Sequence, residues 1–196
     1  MFAEEYLNEV KEIVDLLDQS IIEDMVKILH MCRPTGRLFI LGVGGSAASA
    51  SHSVNDFRKI CNIEAYAPTD NVAELTARTN DEGWDTVFIE WLRVSNLKEQ
   101  DVLLILSVGG GSSRASVNLK HAIDYAKRRH AKIIGIVGKE SGYTQTNADA
   151  CLIIPEVNKN RITPHTESFH SVITHLLVSH PLLQREPTRW EFLDNE

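Results

Sequence analysis

Four short apolar runs limit what this chain can become. Leu38-Phe39-Ile40-Leu41 ends in Gly42-Val43-Gly44-Gly45-Ser46, and Val102-Leu103-Leu104-Ile105-Leu106 ends in Ser107-Val108-Gly109-Gly110-Gly111-Ser112-Ser113. Ile133-Ile134-Gly135-Ile136-Val137 closes on Gly138, and Cys151-Leu152-Ile153-Ile154 is the fourth, with Ile63 to Ala67 a candidate fifth. The runs are continuous rather than alternating. That texture belongs to strands covered on both faces, as in a parallel sheet with crossover helices. Helix-compatible stretches, Ala47 to Ile60 and another ending at Arg129, follow the two glycine-rich turns. The fold class is therefore α/β, doubly wound.

The first thirty residues read as helix, because Leu7, Val10, Val14, Leu17 and Ile21 recur at three- and four-residue spacing. Such a stripe serves a core or a seam with a second subunit equally well. No linker-like tract divides the chain, so residues 1–196 form one domain. Residues 1–35 are its helical N-terminal segment, and 181–196, with two prolines and Trp190, a tail on the surface or on a neighbour. With 27 acidic and 20 basic residues the net charge is −7, which argues against a nucleic-acid partner. No run approaches the length of a membrane span, and Met1 to Asp18 is too acidic for a targeting peptide. Cys32, Cys61 and Cys151 are scattered and odd in number, which argues against a disulfide framework. A cytoplasmic protein with no membrane partner is the expectation.

In an open parallel sheet, ligands lie beyond the carboxyl ends of the strands. Both glycine-serine turns fall there, each before a helix N-terminus, whose free N–H groups and partial positive charge suit a phosphate. Gly42-x-Gly44-x-x-Ala47 also fits a dinucleotide fingerprint. Against that, Glu64 sits too early for its ribose acid, and the second loop has no role in the scheme. His52 and Asp56, four residues apart, share one helix face. Glu167, His170 and His175 occupy a second helical stretch, Thr166 to Val178. Glu167 and His175 lie within about 80° of each other around that helix, at roughly 100° per residue. His52, Asp56, Glu167 and His175 would make a four-ligand set for zinc if the two helices met. Nothing local forces them together.

These residues resemble a known family. Gly42-Val43-Gly44-Gly45-Ser46, Asp70, Asn80-Asp81-x-Gly83, the Ser107 to Ser112 loop and Glu167 with His175 follow in the order of the sugar isomerase (SIS) domain. More narrowly, they are similar to the phosphoheptose (sedoheptulose 7-phosphate) isomerases, over most of the chain to Val178. The resemblance implies a five-stranded parallel sheet flanked by helices, and a homotetramer with sites at subunit interfaces. It also implies aldose–ketose isomerisation of sedoheptulose 7-phosphate for surface-polysaccharide heptose. Carried over by position, it makes His52, Asp56, Glu167 and His175 the zinc-binding set, with Asp56, His175 and Glu167 as catalytic candidates. Val43, Gly44, Gly45, Ser46, Thr69, Asp70 and Glu167 would lie at the sugar. Ser107, Val108, Gly109 and Ser112 would lie at the phosphate.

The chain departs from that pattern at several of these positions. Asp56 stands in place of a catalytic glutamate and Glu167 in place of a metal-binding glutamine. Val43 replaces an asparagine, and Val108 and Gly109 replace two hydroxyl residues of the phosphate loop. Two alternatives therefore stand beside the heptose isomerase: an isomerase of another sugar phosphate, and a non-catalytic SIS module that senses one.

Overall fold

The computed structural model describes residues 1–188. Two N-terminal helices, α1 (Phe2–Leu16) and α2 (Gln19–Cys32), lead into β1 (Leu38–Leu41) and α3 (Gly45–Cys61). Then come β2 (Ala65–Tyr66), a 3₁₀ turn at Pro68–Asp70, α4 (Val72–Asp81), α5 (Val87–Val94), β3 (Val102–Ser107) and α6 (Val117–Arg128). The chain finishes with β4 (Lys132–Val137), α7 (Tyr143–Asn147), β5 (Ala150–Ile153) and α8 (Ile162–Ser179). All strand pairs are parallel, in the order β2-β1-β3-β4-β5. The expected doubly wound five-stranded sheet is present.

Alternate residues of each central strand feed two separate cores, which is why the runs read as unbroken hydrophobics. Leu38, Ile40, Leu104, Leu106, Ile134 and Ile136 face α2, α3 and α8. Phe39, Leu41, Leu103, Ile105 and Ile133 face α5 and α6. Strand order reverses between β1 and β3, and the two glycine turns are the exits of those two strands. They flank the crevice where open α/β sheets bind ligands.

The helical N-terminus is two helices, not one. Leu17 is extended (φ −62°, ψ 132°), and Asp18 caps α2 by accepting the Ser20 N–H at 2.9 Å. An N-cap carboxylate of this kind restarts a helix where periodicity alone runs on. Of α1 only Ile13 is fully buried, while Leu7 and Val14 of the expected stripe are 58% and 50% exposed. Strand β2 is two residues long rather than the five of Ile63 to Ala67. Helix α6 begins at Val117, so the second loop runs on through Arg114 to Ser116. Part of the expected tail is docked: Leu183 is buried, and Arg185 and Glu186 donate their N–H groups to the Ile60 carbonyl. Trp190 lies outside the described residues. Among the described residues no helix is long and apolar enough to cross a membrane.

His170 of α8 carries a pH prediction. Its ring is fully buried, with Nε2 3.1 Å from the Ile136 carbonyl oxygen and Nδ1 without a partner. Burial pushes its pKa down to about 4 from 6.5, with the carbonyl bond opposing. The folded state thus binds the proton less readily than the unfolded chain. Its contribution is complete above 6.5, fades as pH falls toward 4, and totals about 3 kcal/mol. Urea unfolding of wild type and His170→Gln at about pH 7 and pH 4.5 checks this. The wild type should lose more stability on acidification than the variant; parallel losses would contradict the assignment.

Candidate active site and metal centre

The first loop is built for tightness. A Cβ on Gly42 would lie 2.5 Å from the carbonyl carbon and oxygen of Ser46, so only glycine lets β1 turn directly into α3. Gly44 caps that helix at φ 64°, the left-handed region that suits glycine. Ala47 and Ala48 donate back to the Gly44 carbonyl, leaving the Gly45 and Ser46 amides as the free first-turn donors. In the second loop the Ser107 hydroxyl accepts the Gly110 N–H at 3.0 Å, and Gly110 and Gly111 adopt φ 71° and 77°. Val108 is half-buried and Gly109 exposed. Ser112 is taken up by a turn of its own, accepting N–H bonds from Arg114 (3.1 Å) and Ala115 (2.9 Å).

Helices α3 and α8 pack side by side and bring three of the four expected ligands together. Nε2 of His52 and Nε2 of His175 are 3.1 Å apart, with the rings at 88° to each other. Asp56 Oδ2 lies 3.2 Å from the first nitrogen and 3.4 Å from the second. The carboxylate is mostly buried and both rings are about half exposed, so the centre opens outward. Asn55 donates to the other carboxylate oxygen at 3.0 Å. Zinc bonds of about 2.0–2.1 Å in tetrahedral geometry place neighbouring ligand atoms about 3.3 Å apart. The observed triangle fits that edge, and two imidazoles with a carboxylate are a zinc-type donor set. Three protein ligands leave a fourth position open, the usual form of a catalytic zinc site.

Glu167 is not one of this group. Its carboxylate stands over the first turn of α3: a Cβ on Gly45 would meet Oε2 at 2.5 Å and Oε1 at 2.8 Å. The next residue back, Thr166, packs against Gly138, whose N–H donates to the Val108 carbonyl at 3.0 Å. Successive residues of α8 therefore touch the first loop and the support of the second. His175 follows about 12 Å farther along the same helix, by a rise of roughly 1.5 Å per residue. One helix links both loops to the His/Asp centre.

Comparison with known proteins agrees with this fold. The SIS domain family matches residues 1–138. A phosphoheptose isomerase of Syntrophotalea carbinolica is 30% identical over 192 residues, spanning 92% of this chain and 91% of its own. One from Nitratiruptor is 34% identical over 149 residues, 73% of this chain and 74% of its own. This chain belongs to the phosphoheptose isomerase family of SIS domains. Among solved structures, the phosphoheptose isomerase of Neisseria gonorrhoeae superposes with a TM-score of 0.75 at 26% identity, covering 90% of this chain and 93% of that one. As a phosphoheptose isomerase family member the chain is a sugar-phosphate isomerase. The reading as a non-catalytic sensor is set aside.

The remaining positions expected from the family are placed as follows. Thr69 and Asp70 form the 3₁₀ turn beside α3, where Ser51 donates to Asp70 at 2.5 Å. Ser46 is buried under the first loop and Val43 half-buried. Asn80 and Asp81 end α4 on the exposed side. On α3, Arg58 donates to the Ala65 carbonyl at 3.1 Å and stacks on Tyr66. Trp91 is an aromatic of the second core, edge-on to Phe39. Sequence reasoning missed Gly142 and Thr144, which contact the second loop directly. Their only local signal is a glycine and a threonine in a polar connection.

Proposed function

We propose that this chain interconverts sedoheptulose 7-phosphate and D-glycero-D-manno-heptose 7-phosphate, with zinc held by His52, Asp56 and His175. The observation that carries the reading is the mutual approach of two Nε2 atoms and a mostly buried carboxylate across 123 residues of sequence. A pair of imidazoles held tip to tip, with Asp56 between α3 and α8, has no evident use in packing. The relatives' names supply the substrate class, and the two loops at the β1/β3 crevice supply places for a sugar and its phosphate.

Aldose–ketose isomerisation moves one proton between adjacent carbons through an enediol, with matching proton shifts on their oxygens. Asp56 is the proposed carbon base, taking the proton on a carboxylate oxygen. His175 is the proposed acid/base for the sugar oxygens, through the ring nitrogen that a bound ion would leave free. The free amides of Gly45 and Ser46, at the positive end of α3, orient the sugar and favour developing negative charge. Ser107 and the exposed backbone around Gly109 hold the phosphate. A bound divalent ion supplies Lewis-acid polarisation of the sugar oxygens.

A second assignment within the same reaction rests on one observation. Glu167 stands apart from the metal triangle, over Gly45, so its carboxylate stays free to act as the base while Asp56 serves as ligand. The homotetramer belongs to the proposal as well, with sites at its subunit interfaces. Val172 and Leu176, flanking His175 on α8, are 49% and 41% exposed, and Val14 and Leu16 of α1 add to the apolar surface. A cytoplasmic location and a role in surface-polysaccharide heptose are part of the same proposal.

The deciding experiment incubates the protein with sedoheptulose 7-phosphate and follows the aldose product, with chelator-stripped and zinc-reloaded samples in parallel. Product should form, fall by at least about tenfold on stripping and return on reloading. Equal rates in both samples would remove zinc from the mechanism, and no product from either would remove the heptose substrate.

A further inference from the structure

The second glycine loop is not held by its own strand and helix alone. Gly110 and Gly111 have positive φ, so the loop lacks a regular hydrogen-bonding pattern, yet its carbonyls are pinned from outside. The Gly110 carbonyl accepts two bonds from one residue: the Thr144 N–H at 2.9 Å and the Thr144 hydroxyl at 2.7 Å. The Gly111 carbonyl accepts the Tyr143 N–H at 2.9 Å. Gly142 presses so close that a Cβ there would lie 2.5 Å from the Gly109 carbonyl oxygen and 3.0 Å from Gly110 Cα. Thr144 is completely buried, its methyl seated where Gly135 of β4 has no side chain. Tyr143 carries the restraint to α6, donating its hydroxyl to Asp124, which also receives Lys120 at 2.8 Å.

We propose that Gly142-Tyr143-Thr144 is a clamp that sets the shape of the phosphate cradle, with Thr144 as its positioning residue. The inference rests on the reading of the second loop as the phosphate site. Its physical basis is preorganisation. Anion binding by backbone N–H groups needs several donors to converge at once, and each degree of freedom left to the loop must be frozen on binding. Val108 and Gly109 contribute no hydroxyl donors, so in this chain affinity depends all the more on where the amides point. Thr144 touches loop backbone rather than ligand. Its effect therefore falls on binding and not on the proton-transfer step.

Three substitutions separate the clamp from simple packing. Thr144→Val puts a methyl where a hydroxyl now meets the Gly110 carbonyl at 2.7 Å, so the carbonyl must retreat. The backbone bond from residue 144 still satisfies that carbonyl, which spares the fold. Gly142→Ala has an ordinary backbone conformation (φ −76°) but drives its Cβ into the loop. Thr144→Ser keeps the hydroxyl.

The test is calorimetric titration of inorganic phosphate into the full-length wild type and these three variants, each with a thermal melt. Thr144→Ser should match the wild type, while Thr144→Val and Gly142→Ala should bind about tenfold more weakly or worse. KM for sedoheptulose 7-phosphate should rise by a similar factor with kcat unchanged. Wild-type binding with unaltered affinity in Thr144→Val overturns the clamp alone, and so does a fall in kcat at constant KM. Thr144→Val decides the matter if Gly142→Ala does not fold. A wild type that takes up no phosphate sinks the cradle reading, and the clamp with it.

Discussion

Asp56→Asn should all but abolish turnover of sedoheptulose 7-phosphate, lowering kcat by about 10³-fold while the protein keeps its fold. A positioned general base contributes about 10²–10⁴-fold, and Asp56 also supplies the one negative charge in the His/Asp triangle. Its Oδ2 lies within 3.4 Å of both imidazole nitrogens. An asparagine fills the same volume without the charge, and its amide cannot accept the proton. Metal content separates the two roles. Loss of both zinc and activity makes Asp56 at least a ligand, whereas loss of activity with zinc retained assigns it the proton. Glu167→Gln is the companion measurement. With Asp56 as base it should cost much less than Asp56→Asn, because Glu167 stands over the α3 N-terminus and outside the triangle. An Asp56→Asn enzyme with near wild-type kcat, beside a dead Glu167→Gln enzyme, would move the base to Glu167.

The fold was legible where burial leaves a local trace. Strands covered on both faces carry few polar residues, so β1, β3 and β4 announce themselves as nearly unbroken apolar runs. The run at β5 reads the same way although it is an edge strand with alternate residues half-buried. Strand β2 lies at the sheet edge, needs only two residues, and leaves a weaker trace. The break between α1 and α2 depends on one capping carboxylate, Asp18, set inside an apolar period that continues across it. The start of α6 was obscured because Ser112, Ser113 and Ser116 are all plausible helix caps. The site divides in the same way. His52 and Asp56 are neighbours by helical spacing alone, but their meeting with His175 follows from topology. The 2-1-3-4-5 order packs α3 and α8 against the same face of the sheet, and no window of sequence contains that. The resemblance to the family supplied what local spacing lacked. The displacement of Glu167 from the triangle follows from side-chain placement, which a shared motif does not determine.

Gly42→Ala should be among the most destabilising single-methyl changes available to this chain, costing about 3 kcal/mol. The added Cβ would lie 2.5 Å from the carbonyl carbon and oxygen of Ser46 and 2.8 Å from the Ala47 nitrogen. All three are backbone atoms, so no rotamer change relieves the contact, and the first turn of α3 must move away from β1. That helix has little room to move. Ala50, Ser53, Val54, Asp56 and Phe57 are buried along it, and Leu41 just before the glycine is fully buried. For a domain of this size about 3 kcal/mol corresponds to a fall in Tm of roughly 10 °C. Any shift of α3 also drags His52 and Asp56 relative to His175, so activity should fall even well below the new Tm. Gly109→Ala is the control, since its Cβ would meet nothing within 4 Å and should change stability by no more than about 0.5 kcal/mol. Equal melting temperatures for the two variants would mean that the β1–α3 turn yields more easily than its backbone contacts require. Helix α3 would then be a movable carrier of the metal triangle rather than a fixed one.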